Sequence, residues 1–332
     1  MSTVAAVVLF TGVIAYAVLG GADYGAGFWD LTAGGAQRGR RPRHLVDESL
    51  APVWEANHVW LVFCLVMLWT GFPAAFAAIM TTLYVPLGLA ALGIVLRGAG
   101  FAFRKVMVRT DQQRVTGAAF ALSSVVVPYF LGAVAGGIAS GRVPPGGQGD
   151  PLTSWVNPTS VLGGVLAVLV CAYTAAVFLT AEARRHEDAD LEAWFRRRSL
   201  ATAVVTGAVA LAGLFVLRAD APRLLDGLLS RALPLVVLSG VCGLTALLLL
   251  RRAAPRVVQI LAVGAVAAVV GGWGVAQYPD LLGTHTTIAE AAAPAPTLWA
   301  LTIVAAAALA IVVPAMALLF VLAQRGSLDT SH

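Results

Sequence analysis

Long apolar segments alternate with short polar segments along the whole chain. About 20 consecutive apolar residues are enough for a helix to cross the hydrocarbon core of a bilayer, and nine segments come close to or exceed that length. The pattern predicts an all-α integral membrane protein with about nine transmembrane helices in a single polytopic membrane domain, residues 1–332. The predicted spans are residues 4–28, 52–71, 74–96, 116–139, 159–181, 200–217, 232–250, 257–277 and 298–323.

Local sequence adds detail to these spans. Residues 71–73 (Gly-Phe-Pro) predict a turn between the second and third spans. The pairs Gly21…Gly25 and Gly132…Gly136 have the GxxxG spacing that lets helix backbones pack closely. The polar stretches 140–158 and 278–297 are predicted to be irregular loops.

Positive charge is distributed unevenly between the connections. Of the 22 Lys and Arg residues, 18 lie near 29–51, 97–115, 182–199 and 251–256 or in the C-terminal tail. The remaining four, in the alternate connections, are Arg142, Arg218, Arg223 and Arg231. Cytoplasmic loops carry the excess of Lys and Arg. We therefore predict a multi-pass protein with its N-terminus outside and its C-terminus in the cytoplasm.

Composition supports a membrane protein and excludes a nucleic-acid-binding one. The chain is 59% hydrophobic and 12% charged, with a mean hydropathy of +0.84, whereas soluble domains carry about 25% charged residues. The net charge of +5 comes from short basic clusters between apolar spans. We therefore expect the lipid bilayer, and no nucleic acid, as a partner. The three cysteines are isolated, and no histidine–cysteine spacing typical of a metal site occurs.

Two carboxylates lie inside predicted spans, where an ionisable group needs an explanation. A carboxylate at a helix centre costs about 2.5–3.5 kcal/mol on insertion, and such groups usually face other helices or water. Asp23 is surrounded by glycines in the sequence GGADYGAG, residues 20–27. Three interpretations of Asp23 stay open: a step on a proton pathway, a hydrogen bond that packs helices together, or a position at the membrane interface.

The second carboxylate, Glu55, has a histidine at helical spacing. Glu55 and His58 are at i and i+3 and share one helix face. A carboxylate beside an imidazole can pass protons on, because imidazole titrates near neutral pH. The alternative is a structural hydrogen-bond cluster at the mouth of the span. Haem ligation by His58 is disfavoured, because the other four histidines lie in loops or the tail, and we predict no metal site in this chain.

Residues 49–61 (SLAPVWEANHVWL) resemble the signature of subunit II of the cytochrome bd-type quinol oxidases. Residues 21–27 (GADYGAG) are similar to that family's motif at the end of the first helix, and the similarity is strongest over residues 12–105. Five residues are interpreted as motif or structural positions on this resemblance: Trp54, Asn57, Trp60, Arg97 and Arg104, the last two in the basic loop after the third helix. For the tryptophans, helix packing is favoured over a cofactor site.

The resemblance implies a haem-free subunit of a quinol:dioxygen oxidoreductase in the respiratory chain of a prokaryotic cell membrane. The family pairs it with a haem-bearing subunit I, which carries haem b and haem d (or a b-type substitute) and oxidises membrane quinol. Two four-helix bundles plus one peripheral helix form the implied fold. Glu55 and Asp23 match acidic residues on the family's proton pathway toward the haem that reduces dioxygen, and His58 extends this set. No catalytic residue is expected in this chain.

Several points stay open at this stage. The resemblance does not decide whether this chain binds a structural quinone or whether the complex contains small accessory subunits. Ala102 stands where an acidic residue is familiar. If that acid supplies protons from the cytoplasm in the family, proton entry differs in this chain and passes through Asp111 or water. A proton-coupled secondary transporter and a purely structural membrane anchor are the competing hypotheses, although no matched pair of interrupted segments typical of transporter repeats occurs.

Overall fold

The computed structural model describes residues 1–35, 37–50, 54–106, 110–250, 254–283 and 286–324. Side chains are described at these positions except 50, 54–57, 101, 104–106, 110–116, 319–321, 323 and 324. The helices are α1 (Ser2–Thr32), α2 (Arg40–Leu50), α3 (Trp54–Gly71), α4 (Pro73–Thr82), α5 (Tyr84–Val106), α6 (Thr110–Ala139), α7 (Pro158–Arg185), α8 (Ala189–Asp220), α9 (Pro222–Leu229), α10 (Leu233–Leu249), α11 (Pro255–Gln277), α12 (Ile288–Ala291) and α13 (Ala295–Gln324). Two short strands, β1 (Asp280–Leu282) and β2 (Thr286–Thr287), lie between α11 and α12.

The helical membrane fold is confirmed. Among the described residues, six helices are long and apolar enough to cross a membrane, or up to eight spans if each bent pair counts as one. The bent pairs are α3 with α4, at 116°, and α9 with α10, at 76°. The count of nine spans and the arrangement as two four-helix bundles plus one peripheral helix stay predictions.

The predicted third span, 74–96, is wrong as one continuous helix. The chain leaves helical geometry at Leu83 (φ −104°, ψ 26°), which separates α4 from α5. Pro86 explains the break, because a proline has no N–H to donate and its ring clashes with the carbonyl four positions earlier. The turn predicted at 71–73 is confirmed, since α3 ends and α4 begins there.

Two basic connections predicted as loops are largely helical. Helix α5 continues past the predicted span, so Arg97 lies inside a helix and not in a loop. Between α7 and α8 only residues 186–188 remain non-helical. Ion pairs at helical spacing favour this extension: Arg185 is 2.8 Å from Glu182, and Arg196 is 3.2 Å from Glu192.

The turn between α7 and α8 is held by Asp188. Its carboxylate caps α8 by accepting from the backbone N–H of Leu191 at 3.0 Å. It also accepts from Arg41 Nη2, at 2.8 and 2.7 Å to its two oxygens. The N–H of Leu191, together with Arg41, holds the pKa of Asp188 below its usual value. The ionised carboxylate therefore ties α2 to this turn at neutral pH.

Helix α1 contacts α3, α6, α7 and α11, and glycine permits its closest approach to α7. A Cβ atom added at Gly25 would overlap the backbone carbonyl of Cys171 in α7. At Gly136 an added Cβ would lie 2.5 Å from Ser160 Cα, and at Gly132 it would overlap the carbonyl oxygen of Gly163. The tight packing predicted from the GxxxG spacings is thus confirmed.

The connection predicted as an irregular loop at 278–297 contains a little regular structure. Strands β1 and β2 pair antiparallel. Helix α12 follows with a capping box, in which the Thr287 hydroxyl accepts from the backbone N–H of Glu290 and the Glu290 carboxylate accepts from that of Thr287. In the part of the chain that the structure describes, the fold is therefore all-α except for one small hairpin.

A carboxylate at the end of α8 clamps three elements together. Asp220 accepts from Arg142, which follows α6, at 2.6 and 3.1 Å. It also accepts from the hydroxyl and the backbone N–H of Thr159, in the first turn of α7, at 2.6 and 3.1 Å. The Asp220 carboxylate thus accepts from a free N–H at the N-terminus of α7 and forms an ion pair with Arg142.

We expect Asp220→Asn to lower the thermal midpoint of the purified protein. Hydrogen bonds to a charged group contribute about 1.5–3 kcal/mol, and the amide offers neither the charge nor the second acceptor oxygen. Asp226→Asn in α9 is the matched control, and it should leave the midpoint unchanged. Equal midpoints for the two variants would show that the clamp does not stabilise the fold.

Candidate functional site

A buried ion pair joins the first helix to the fifth. Asp23 in α1 and Arg97 in α5 expose 1% and 0% of their side chains. Arg97 Nη2 donates to Asp23 Oδ1 at 2.8 Å and to the Asp23 backbone oxygen at 2.9 Å. An isolated ionised side chain in an apolar interior is prohibitively costly, so each charge requires the other. The pair explains why both positions carry a charge inside apolar helices.

Aromatic rings and a serine enclose the rest of the Arg97 guanidinium. Nη1 donates to Ser124 Oγ in α6, and that hydroxyl donates to the carbonyl of Phe120 at 2.7 Å. The ring centroids of Phe120 and Tyr24 lie 4.2 and 4.9 Å from Arg97 Cζ, within the range of cation–π attraction. Arg97 therefore fixes α1, α5 and α6 relative to one another.

A glycine one helical turn after Asp23 makes room for this arrangement. A Cβ atom at Gly27 would overlap Ser124 Oγ and would lie 2.8 Å from Arg97 Nη1. The glycine-rich sequence around Asp23 therefore serves the approach of a cation and a neighbouring helix, as well as close backbone packing.

Tyr24 connects the ion pair to α3. Its hydroxyl oxygen is 3.1 Å from that of Tyr16, and its ring packs against the half-buried His58 with centroids 6.5 Å apart. We call this set of side chains the α1 polar cluster. Its members are Asp23, Arg97, Ser124, Tyr24, Tyr16 and His58.

Four of the predicted residues lie where side chains are not described: Trp54, Glu55, Asn57 and Arg104. The backbone of α3 begins at Trp54, so Glu55 and His58 are at i and i+3 of one helix, as predicted. Contact between their side chains stays a prediction. Arg104 lies in the last turn of α5, so its predicted position in a loop is wrong.

The two described tryptophans of α3 make packing contacts. Trp60 is buried and meets Phe63 edge to face, with ring centroids 6.1 Å apart. Trp69 is 65% exposed and stacks on Phe76 at 5.8 Å. The indole N–H of Trp60 has no hydrogen-bond acceptor among the described groups. Helix packing accounts for both rings.

Two atoms of the ion pair retain hydrogen-bonding capacity. Asp23 Oδ2 and Arg97 Nε are buried, and neither has a hydrogen-bond partner among the described groups. Buried polar atoms of this kind are normally satisfied by ordered water. The pairing with Arg97 favours a packing role for Asp23, while the open Oδ2 leaves an acceptor for proton-carrying water.

Sequence reasoning placed one member of the cluster wrongly and missed two others. It named Arg97 as a motif position but put it in a basic loop, and it did not single out Tyr16 or Ser124. For Arg97 a signal was present, because this residue directly follows the apolar segment 84–96 with no turn residue between them. For the two hydroxyls there was none, since single tyrosines and serines are common in apolar helices.

The described histidines, cysteines and carboxylates do not gather into a metal site. No group of three or more described His, Cys, Asp or Glu side chains could hold a metal ion. His44 and His186 form contacts with Glu48 and Glu182 at exposed positions. Among the described histidines, only His58 lies in an apolar helix, while residues 285 and 332 fall outside the described ranges.

Comparison with known proteins gives matches in sequence. The family described as cytochrome bd terminal oxidase subunit II matches residues 1–323. The chain is 26% identical over 175 residues to cytochrome bd ubiquinol oxidase subunit 2 of Bacillus subtilis (strain 168), covering 52% of this chain and 50% of that protein. It is 27% identical over 174 residues to cytochrome bd-I ubiquinol oxidase subunit 2 of Escherichia coli (strain K12), covering 50% and 45%. The chain thus spans about half the length of these curated relatives.

The fold gives a match over the whole length. A chain in the structure of bd oxidase from Geobacillus thermodenitrificans superposes with a TM-score of 0.78 and 23% identity, covering 99% of each chain. At this identity the likeness shows a shared fold. The family match covers all but the last nine residues, and several helices can cross a bilayer. This multi-pass membrane protein therefore belongs to the cytochrome bd terminal oxidase subunit II family.

Proposed function

We propose that this chain is the haem-free subunit II of a cytochrome bd-type quinol:dioxygen oxidoreductase in a respiratory chain. It supports a haem-bearing subunit I and supplies a proton pathway to the haem that reduces dioxygen. Family membership over residues 1–323 is the observation that carries this proposal. The named relatives are ubiquinol oxidase subunits, and that activity is extended to this chain as part of the proposal.

The α1 polar cluster supports the proton-pathway part of the proposal. Glu55 on α3 is the proton carrier, and His58, one turn away, exchanges protons with it. The ring of Tyr24 packs on His58 and, through Arg97, stays fixed relative to Asp23. Asp23 Oδ2 holds water at the end of this row. Protons are taken up from the cytoplasmic side, where Asp111 or water replaces the acid absent at Ala102.

The partners and cofactors follow from the same proposal. Subunit I holds haem b and haem d, or a b-type substitute, and these groups supply the reduction of dioxygen with electrons from membrane quinol. This chain binds no haem of its own. A structural quinone and small accessory subunits are compatible with the exposed apolar faces of α8, α10 and α13, which also meet the lipid bilayer.

The proposed orientation has the N-terminus outside and the C-terminus in the cytoplasm of a prokaryotic cell membrane. The α7–α8 turn and α2 then lie on the cytoplasmic side, where Arg41, Arg184 and Arg196 form ion pairs with carboxylates. The Arg142–Asp220 clamp lies outside. The excess of arginine near the first group is what the positive-inside rule requires.

Replacement of Glu55 by glutamine tests the proton pathway. We expect oxygen consumption by the purified complex to fall at least about ten-fold, because a positioned proton-transfer group typically contributes 10²–10⁴-fold. Haem content should remain that of the wild type, because the haems lie in subunit I. Glu55→Asp should retain part of the activity.

Glu48→Gln on α2 is the matched control, since Glu48 is half exposed and contacts His44. It should leave turnover unchanged. Wild-type turnover and haem content in Glu55→Gln would reject the proton pathway and leave a structural anchor. The other competing hypothesis, a proton-coupled secondary transporter, requires that the chain purify without haem or subunit I.

A further inference from the structure

A groove lies between the N-terminal part of α8 and the C-terminal end of α10. It has a volume of about 580 Å³. Its lining has a charged part, formed by arginines of α8, and an apolar part, formed by leucines from both helices. The lining residues are Arg196, Arg197, Leu200, Leu247, Leu248 and Leu250. None of them belongs to the α1 polar cluster.

The arginines leave positive charge in the groove. Arg197 is exposed and forms no ion pair with a described carboxylate. Arg196 Nη1 lies 3.2 Å from Glu192 Oε1, but that same oxygen accepts from Arg184 at the shorter distance of 2.7 Å. Glu192 therefore compensates Arg196 only in part. The next residue, Arg198, is directed elsewhere, since its Cζ lies 3.1 Å from the centroid of the Trp194 ring.

The leucines give the groove an apolar part. Leu248 is 68% exposed and Leu200 38% exposed, whereas Leu250 is buried. In a chain that crosses a bilayer, exposed leucines next to arginines occur where helices pass from hydrocarbon to headgroups. An occupant of this groove therefore has an anionic part and an apolar part.

We propose that the groove binds an anionic phospholipid. Its phosphate lies against Arg196 and Arg197, and an acyl chain lies along the leucines of α8 and α10. Guanidinium groups donate paired hydrogen bonds to phosphate oxygens, and basic residues at the membrane surface attract acidic lipids. A free phosphate ion would leave the leucine-lined part unfilled, which favours a lipid as the source of the anion.

Native mass spectrometry of the purified complex tests this proposal. Phosphatidylglycerol or phosphatidylcholine is added, with and without inorganic phosphate as competitor. We expect phosphatidylglycerol to bind in preference, and inorganic phosphate not to displace it. Each basic residue near the surface contributes roughly a five-fold gain in affinity for an acidic lipid, so Arg196→Gln with Arg197→Gln should weaken binding roughly 25-fold.

Arg218→Gln is the matched control, because Arg218 is exposed near the opposite end of α8. It should bind phosphatidylglycerol like the wild type. Arg197→Gln alone breaks no ion pair, and it replaces the double variant if that variant does not fold. It should weaken phosphatidylglycerol binding roughly five-fold. Equal binding of the two lipids, unchanged binding in both groove variants, or displacement by inorganic phosphate would overturn the proposal. So would loss of subunit I from a folded variant, which would make the groove a protein interface.

Discussion

Leucine in place of Arg97 is expected to prevent most of this chain from accumulating as folded protein. The change leaves the Asp23 carboxylate buried without its cation, and removing one member of a buried ion pair costs about 3–5 kcal/mol. Whole domains are stable by only about 5–15 kcal/mol. The folded amount in detergent-solubilised membranes, measured by size-exclusion chromatography of a fluorescently tagged chain, should fall several-fold.

A second substitution separates the ion pair from other roles of Arg97. In the Arg97→Leu background, Asp23→Asn removes the stranded charge and should recover a large part of the folded protein. Arg185→Leu is the control, because Arg185 is 45% exposed and its contact with Glu182 is a surface pair, which contributes only about 0–1 kcal/mol. No recovery in the double variant would show that the two charges do not depend on each other.

Alanine at Gly25 is expected to destabilise the chain strongly although it adds a single carbon. The new Cβ meets the backbone carbonyl of Cys171, which cannot turn aside as a side chain can, so α1 and α7 must separate. Overpacking costs about 1–3 kcal/mol and occasionally more. We expect Gly25→Ala to cost a free energy in the upper part of that range. The measurement is the midpoint of thermal unfolding, which should be lower than that of the wild type.

Gly88→Ala in α5 is the control for this substitution. An added Cβ at Gly88 meets nothing within 4 Å, and alanine favours a helix over glycine by up to about 1 kcal/mol. Its midpoint should equal or exceed that of the wild type. If Gly25→Ala behaved in the same way, the close approach of α1 and α7 would be wrong.

Features that depend on local sequence could be predicted. The apolar segments gave the helices, because the length of an apolar run decides whether it can cross a bilayer. The turn at 71–73 and the close packing at Gly25 and Gly132 followed from residue types with a direct effect on the backbone. The charged ends of the helices were harder to predict from hydropathy, because ion pairs such as that of Arg196 with Glu192 extend α8 beyond its apolar part.

The pairing inside the α1 polar cluster could not be predicted in the same way. Asp23 and Arg97 are 74 positions apart, and nothing in a single sequence states which cation meets which carboxylate. The apolar segment 74–96 concealed the break at Leu83, and Pro86 lies in the first turn of the helix that follows this break. Both features depend on how helices pack, which hydropathy does not describe.

Affinity purification of this chain from its native membrane in mild detergent, with a reduced-minus-oxidised absorption spectrum of the product, tests the proposed assembly most directly. We predict that a second large membrane chain is purified with it and that the second chain carries all of the haem. The spectrum then also shows whether haem d is present. A product that contains this chain alone, stable and colourless, would contradict its role as subunit II of a quinol oxidase.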